Sequence, residues 1–404
     1  MLSAPAKVMH VMVKPIGSLC NIACDYCYYL DKHLELAQEN RQAISMTLLE
    51  NFIRQYITQQ SANSILFSWQ GGEPTLLGLD FFRQVVALQQ RYAPAGVTIE
   101  NDLQTNGLLL DDEWGRFLRE QRFLVGLSID GPATWHDRHR KNRAGRGTFA
   151  QVMKAASLLH RHGIAFTTLT TVNGDNAADP LGIYRFLRDE VASPMMQFIP
   201  IVTKKRGLIF HYPQGAEQCH PGHQDSPVTP WSVSAEQWGN FLCTLFDEWY
   251  SRDIGRHFVH YFEAAVAIWN GQLSTLCTLA PLCGKTLAME KDGTLYSCDH
   301  FVEPAHRLGN IATTPLESLA FSRRQMAFGI NKEASLPGQC RRCPYQFACF
   351  GECPKNRFLL SQDAEPGLNY LCSGWQQFWA HIDEPMQKLL PRLGLEVQRG
   401  LLHE

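Results

Sequence analysis

A chain of 404 residues, 45% hydrophobic and 19% charged, has the composition of an ordinary globular protein with room for two or three domains. Its formal net charge of −2 gives no electrostatic case for nucleic acid or an anionic membrane as partner. The opening MLSAPAKVMHVMVKP holds no apolar run long enough for a secretory signal, and no later run approaches the roughly 18 apolar residues of a membrane span. The sequence therefore reads as cytoplasmic, with neither nucleic acid nor membrane as partner. In a reducing compartment its 13 cysteines read as metal or catalytic ligands rather than disulfides. They are unevenly placed: Cys20, Cys24 and Cys27 lie together, Cys219 and Cys243 stand apart, and the remainder fall between Cys277 and Cys372.

In chain order, VMHVMVKP (8–15) is a short β-rich run closed by Pro15 and Gly17. SMTLLENFIRQYITQQ (45–60) carries apolar residues at helical spacing, with Ser45 or Thr47 as N-cap. Further strands are expected at 64–70, 97–105, 123–130, 165–172 and 195–202, with helices near 80–92, 111–121, 147–162 and 180–191. Alternating strands and helices imply parallel βα units, as a whole or partial barrel or as an open doubly wound sheet. In either fold the chemistry collects in loops after the strands. Those loops hold the three cysteines, GGEP (71–74), QTNG (104–107) and SIDGP (128–132).

Three thiols in CNIACDYC (20–27) admit several readings. A closed zinc tetrahedron needs a fourth ligand, such as His10 or His33. A redox pair would use Cys24 and Cys27 and leave Cys20 idle. A [4Fe–4S] cluster would use all three and keep one iron open.

CNIACDYC is the Cys-x3-Cys-x2-Cys motif of the radical S-adenosylmethionine (radical SAM) enzymes, and GGEP resembles that family's motif for the methionine amino group. The resemblance implies a partial (β/α)6 barrel. It also implies that the open iron takes the amino and carboxylate groups of S-adenosylmethionine, whose cleavage yields a 5′-deoxyadenosyl radical. On the matching positions Tyr26, Gly72, Ser128 and Arg140 would bind S-adenosylmethionine, Ile201 would flank the adenine, and Gln70 would face a peptide substrate.

The C-terminal cysteines read Cys277, Cys283, Cys298 and then Cys340, Cys343, Cys349, Cys353, Cys372. Eight ligands make two sets of four, so one cysteine of the second group must cross over. Cys353 precedes a proline, as does the ferredoxin cysteine that ligates the other cluster. Cys277, Cys283, Cys298 and Cys353 are thus assigned to one auxiliary cluster, and Cys340, Cys343, Cys349 and Cys372 to a second. This resembles the SPASM domain. The expected organisation is a radical SAM partial barrel over 1–230, a helical linker over 231–273 and a SPASM domain with a C-terminal helix over 274–404. The expected cofactors are S-adenosylmethionine and three [4Fe–4S] clusters. Cys219 and Cys243 remain as structural residues, and His220 and His223 as members of a polar loop.

Within that group VMVKPIGSLCNIACDYCYYL, FSWQGGEPTLLGL, LQTNGLLL, VGLSIDGP, QFIPIV and CPKNRF resemble the anaerobic sulfatase-maturating enzymes, which oxidise a sulfatase cysteine or serine to Cα-formylglycine. The resemblance implies Asp299, in SCDHF, as the catalytic base, with His300 a lesser candidate. It implies an unfolded or nascent sulfatase as substrate and a flavodoxin or ferredoxin as electron donor. One rival is a SPASM enzyme that forms thioether or carbon crosslinks in peptides. Such enzymes often carry an N-terminal leader-peptide domain, and about seven residues before the first strand leave no room for one. A rival of another class is a zinc-stabilised binding module.

Overall fold

The computed structural model describes residues 7–30, 32, 36, 43–205, 212–213 and 219–398. The chain divides into two compact units, each assembled from separated stretches. The first comprises 1–128, 137–167 and 284–329; the second comprises 129–136, 168–283 and 330–404.

The strands of the first half are β1 (His10–Lys14), β2 (Ile22–Cys24), β3 (Ser64–Trp69), β4 (Thr98–Thr105), β5 (Leu124–Ser128), β6 (Arg140–Asn142), β7 (Phe166–Val172) and β8 (Met195–Pro200). Then come β9 (Tyr212–Pro213), β10 (Phe258–Val259), β11 (Thr286–Glu290), β12 (Thr294–Tyr296), β13 (Arg307–Asn310), β14 (Leu359–Leu360) and β15 (Pro366–Leu368). In the first unit β1, β3, β4 and β5 pair in parallel, as the alternation of strands and helices requires. On its other side β1 pairs in parallel with β11, Lys14 opposite Glu290, and β12 and β13 continue antiparallel from there. No periodicity in the sequence announces that pairing, because β11 lies more than 270 residues away along the chain.

The helices follow their sequence signals. Ser45, not Thr47, caps Met46–Thr58: its side chain accepts from the Leu48 amide, and Leu49, Phe52, Ile53 and Tyr56 turn inward at helical spacing. Asp111 caps Asp112–Glu120 in the same way. The expected helix at 180–191 runs as α-helix over Pro180–Arg185 and continues as a π-helical turn over Phe186–Glu190.

In the second unit β7, β8 and β10 pair in parallel. The helices Ala235–Arg252, His260–Trp269 and Cys372–Arg392 bury an aromatic cluster that includes Trp238, Phe246, Phe262, Trp375, Phe378 and Trp379. Trp375 and Trp379 stack with centroids 5.4 Å apart. Each such ring contributes on the order of 1.5–3 kcal/mol by burial. Close approach depends on Gly374, where a Cβ would stand 2.0 Å from the Ala235 carbonyl oxygen. No described helix is long and apolar enough to cross a membrane.

Candidate active site

The cysteine loop in the first unit is tied down from three directions. Cys24 pairs with Arg140 in the two-stranded ladder of β2 and β6. Arg143 donates twice to the Cys20 carbonyl, at 2.9 and 2.7 Å. Asn106, from QTNG, donates to Asn21 Oδ1 at 2.7 Å, with the same nitrogen 3.8 Å from the Cys20 sulfur. GGEP supplies the third tie: the Gly72 amide donates to the Gly17 carbonyl at 2.7 Å and the Glu73 amide to the Leu19 carbonyl at 2.9 Å. A Cβ at Gly72 would lie 2.0 Å from the Leu19 carbonyl oxygen, so only glycine admits this approach.

Glu73 is buried, and burial pushes its carboxyl up while its donors pull it back. It accepts from the Thr75 amide at 3.1 Å and hydroxyl at 2.6 Å, the Thr105 hydroxyl at 2.8 Å and the Asn106 amide at 2.8 Å. With its oxygens so engaged it joins GGEP to QTNG. Burial also pushes the Cys20 thiol up to about 11, with smaller contributions from Glu73 and Cys27. Such a thiol becomes a thiolate when a metal replaces the proton.

Around this loop, the Arg140 guanidinium sits 5.6 Å from the Tyr26 ring centroid. Ser128, at the end of β5, accepts from Gln104 at 2.9 Å. Gln70 follows β3, its amide donating to the Val13 carbonyl at 2.9 Å. Tyr26, Gln70, Gly72, Ser128 and Arg140 all belong to the first unit. Ile201 belongs to the second, where its amide donates to the Val172 carbonyl at 2.8 Å.

Asp299 begins a short 3-10 turn directly after Cys298. Lys14, buried at the end of β1, forms an ion pair with it, and the Tyr28 hydroxyl donates to its other oxygen. Burial would push this carboxyl up. The Lys14 charge, then His300 and the hydrogen bonds from Lys14 and Tyr28, outweigh burial and hold it at about 2. Lys14 also lies 4.2 Å from the Tyr29 ring centroid, and Tyr29 donates to Glu290 opposite Lys14 in the β1–β11 register. His300 stands edge-on to Tyr28 at 5.9 Å. Sequence reasoning missed Lys14 and Tyr28. The one signal for Lys14 was a lysine within an apolar strand.

In the second unit Cys340, Cys343, Cys349 and Cys372 border one cavity with Trp375, Gln376 and Trp379. This set fits a cluster. The Gln376 amide nitrogen lies 3.9 Å from the Cys343 sulfur. The buried indole N–H groups of Trp375 and Trp379 have no protein partner. Burial pushes the Cys349 thiol up to about 12. Cys283 lies within electrostatic reach of Cys277, and both Cys277 and Cys353 within reach of the buried Tyr261. Cys298 belongs to the first unit. Cys219 and Cys243 are buried, and the Cys219 carbonyl accepts from Tyr370 at 2.9 Å. His220 is exposed, and His223 caps its own turn by accepting from the Asp225 amide. His10 contacts Ser68 at 2.8 Å and Thr286 at 3.2 Å, while His33 lies outside the described residues. Among the described residues no three His, Cys, Asp or Glu side chains gather round a single-ion position.

Comparison with known proteins decides the family. Residues 15–187 match the radical SAM superfamily and residues 283–344 the SPASM iron–sulfur cluster-binding domain. The chain is 45% identical over 377 residues to a serine-type anaerobic sulfatase-maturating enzyme of Bacteroides thetaiotaomicron, covering 93% of this chain and 90% of that protein. It belongs to the anaerobic sulfatase-maturating enzymes. A serine-type maturating enzyme of Klebsiella aerogenes is 37% identical over 94% of this chain and 86% of its own length. The solved structure of native anSMEcpe with bound AdoMet and Cp18Cys peptide superposes with a TM-score of 0.82 at 28% identity, covering 95% of this chain and 99% of that one. This maturating enzyme is therefore a radical SAM oxidoreductase of α/β fold with a SPASM domain, and its cofactors are S-adenosylmethionine and [4Fe–4S] clusters, auxiliary ones included.

Proposed function

We propose that this chain oxidises an active-site serine or cysteine of a sulfatase polypeptide to Cα-formylglycine, with Asp299 as the base. The observation that carries the reading is the Lys14–Asp299–Tyr28 arrangement: a half-buried, ionised carboxylate next to a cysteine assigned to a cluster. When bound, the clusters and S-adenosylmethionine supply one-electron chemistry, a radical that takes a hydrogen atom from the substrate Cβ and a sink for the electron released.

Conversion of the serine CH2–OH to an aldehyde removes one hydrogen atom from Cβ, one electron, and one proton from the oxygen. Asp299 accepts that proton. Lys14 keeps the carboxylate ionised at every working pH, and Tyr28 fixes the direction of one oxygen. Cys20, Cys24 and Cys27 hold the first cluster, with Asn106 and Arg143 orienting Cys20. Tyr26, Gly72, Ser128, Arg140 and Ile201 hold S-adenosylmethionine, and Gln70 meets the peptide. Cys277, Cys283, Cys298 and Cys353 hold one auxiliary cluster; Cys340, Cys343, Cys349 and Cys372 hold the other. The substrate is an unfolded or nascent sulfatase, the setting is the cytoplasm, and a flavodoxin or ferredoxin delivers the electron. Acceptance of serine is favoured by the serine-type relatives at 45% and 37% identity, against 29% for a cysteine-type enzyme of Clostridium perfringens.

The test incubates anaerobically reconstituted protein with S-adenosylmethionine, a reductant and a sulfatase-motif peptide in serine and cysteine versions, read by mass spectrometry. Aldehyde on the serine peptide is expected. Cofactor cleavage with neither peptide modified would overturn the reading.

A further inference from the structure

Two cations of the second unit, one buried and one half-buried, have no place in the chemistry above. Lys332 is 1% exposed, near the end of the helix Arg323–Ala334. Its ammonium donates to the carbonyls of Cys277 at 2.6 Å, Thr278 at 2.9 Å and Ala280. Three acceptors match the three donors of an ammonium; a neutral amine has two N–H groups and would leave one acceptor unserved. The carbonyls belong to the turn that presents Cys277.

Arg357, within CPKNRF, donates to the carbonyl of Lys332 itself at 2.5 Å. Its other N–H groups go to the carbonyls of Gly351 at 2.9 Å, Phe350 at 2.5 Å and Glu352 at 3.1 Å. Phe350, Gly351 and Glu352 sit at φ 44°, 66° and 51°, three left-handed positions in succession, two of them occupied by residues with side chains. Such a turn needs an external hold. It stands between Cys349, which borders the cavity with Cys340, Cys343 and Cys372, and Cys353, which like Cys277 lies within electrostatic reach of the buried Tyr261. Arg357 is within electrostatic reach of Cys349, Cys340 and Cys283, and Lys332 of Cys283 and Cys277.

We propose that Lys332 and Arg357 are coupled positioning residues for the two auxiliary clusters. Arg357 clamps the left-handed turn that sends Cys349 to one cluster and Cys353 to the other. Lys332 clamps the Cys277 turn, and its buried charge raises the reduction potential of the cluster beside it. A cluster on four thiolates is anionic and gains negative charge on reduction, so a nearby buried cation favours the reduced form. Ligand-loop carbonyls held by fixed donors are an outer layer of the kind that tunes metal sites.

The inference rests on the ligand assignment proposed above, which the wild-type iron count tests separately: about 12 irons per chain are expected for three clusters. Two variants of the full reconstituted chain are then measured for iron and sulfide and by redox titration followed by electron paramagnetic resonance. The N-terminal cluster serves as the internal reference. Lys332→Gln keeps a donor and removes the charge; it should load fully, with the potential of one auxiliary cluster shifted more negative. Arg357→Lys keeps the charge and removes the fork; it should lose iron from both auxiliary sites and retain the N-terminal signature. Lys332→Gln fully loaded with unchanged potentials, or Arg357→Lys with wild-type iron, would overturn the proposal. Should Lys332→Gln fail to load, Lys332→Arg decides: iron recovered at the wild-type potential supports it, and an empty site overturns it.

Discussion

Gly72→Ala is the smallest change expected to dismantle the site. Gly72 does not occupy a left-handed conformation; its constraint is proximity alone. The added Cβ would fall 2.0 Å from the Leu19 carbonyl oxygen, 2.5 Å from the Leu19 carbonyl carbon and 2.8 Å from the Ser18 carbonyl carbon. All three are backbone atoms, which cannot rotate aside as a side chain can. Relief to an ordinary contact of about 3.4 Å requires a movement of more than about 1 Å of the segment just before Cys20. That movement stretches the Gly72–Gly17 and Glu73–Leu19 hydrogen bonds. Overpacking costs about 1–3 kcal/mol and each weakened bond about 1 kcal/mol, so a loss of about 3–5 kcal/mol falls on one loop. Gly78→Ala is the control. Its φ of 75° with ψ of 168° is a conformation essentially reserved for glycine and strains an alanine, at about 1–3 kcal/mol, but nothing lies within 4 Å of its Cβ. Three readouts serve: thermal midpoint, iron per chain, and S-adenosylmethionine cleavage. Gly72→Ala should lose cleavage, with up to about 4 of about 12 irons, while the auxiliary sites keep theirs. Gly78→Ala should keep cleavage. Gly72→Ala with wild-type cleavage and iron would show that the loop yields freely, and the account of GGEP as a close-packed backbone would fail.

Three further outcomes are expected. Asp299→Asn should still cleave S-adenosylmethionine but form formylglycine on the order of 10²-fold more slowly; a near wild-type rate would remove Asp299 from the mechanism. Lys14→Met leaves the Asp299 carboxyl to its burial, so its pKa should rise above about 2. The wild-type carboxyl, depressed in the folded state, contributes stability above its unfolded pKa, lost only as pH falls through about 2. In Lys14→Met that contribution shrinks, and formylglycine formation should fall toward acid pH while the wild type stays level; a variant equally level at low pH would refute the pairing. Finally, Cys353→Ala in folded protein should perturb the same spectroscopic signature as Cys277→Ala; a signature that follows Cys340→Ala would reverse the ligand partition.

The sequence by itself determined the parallel βα units and the three motif loops, because those depend on periodicity and local turn chemistry; the choice of Ser45 over Thr47 as cap came from the structure. It also contained the three cysteine groupings, since ligand spacing is a local property. Only the tertiary structure decided that GGEP and QTNG meet the cysteine loop through backbone hydrogen bonds and Glu73. It alone placed Lys14 against Asp299, because the partners lie far apart along the chain and meet through the parallel pairing of β1 with β11. The same holds for Lys332 and Arg357, which in sequence are a lysine near a helix end and an arginine after a proline. A buried cation is recognised by what surrounds it, and neither composition nor spacing records which distant carbonyls and carboxylates the fold will place at its tip.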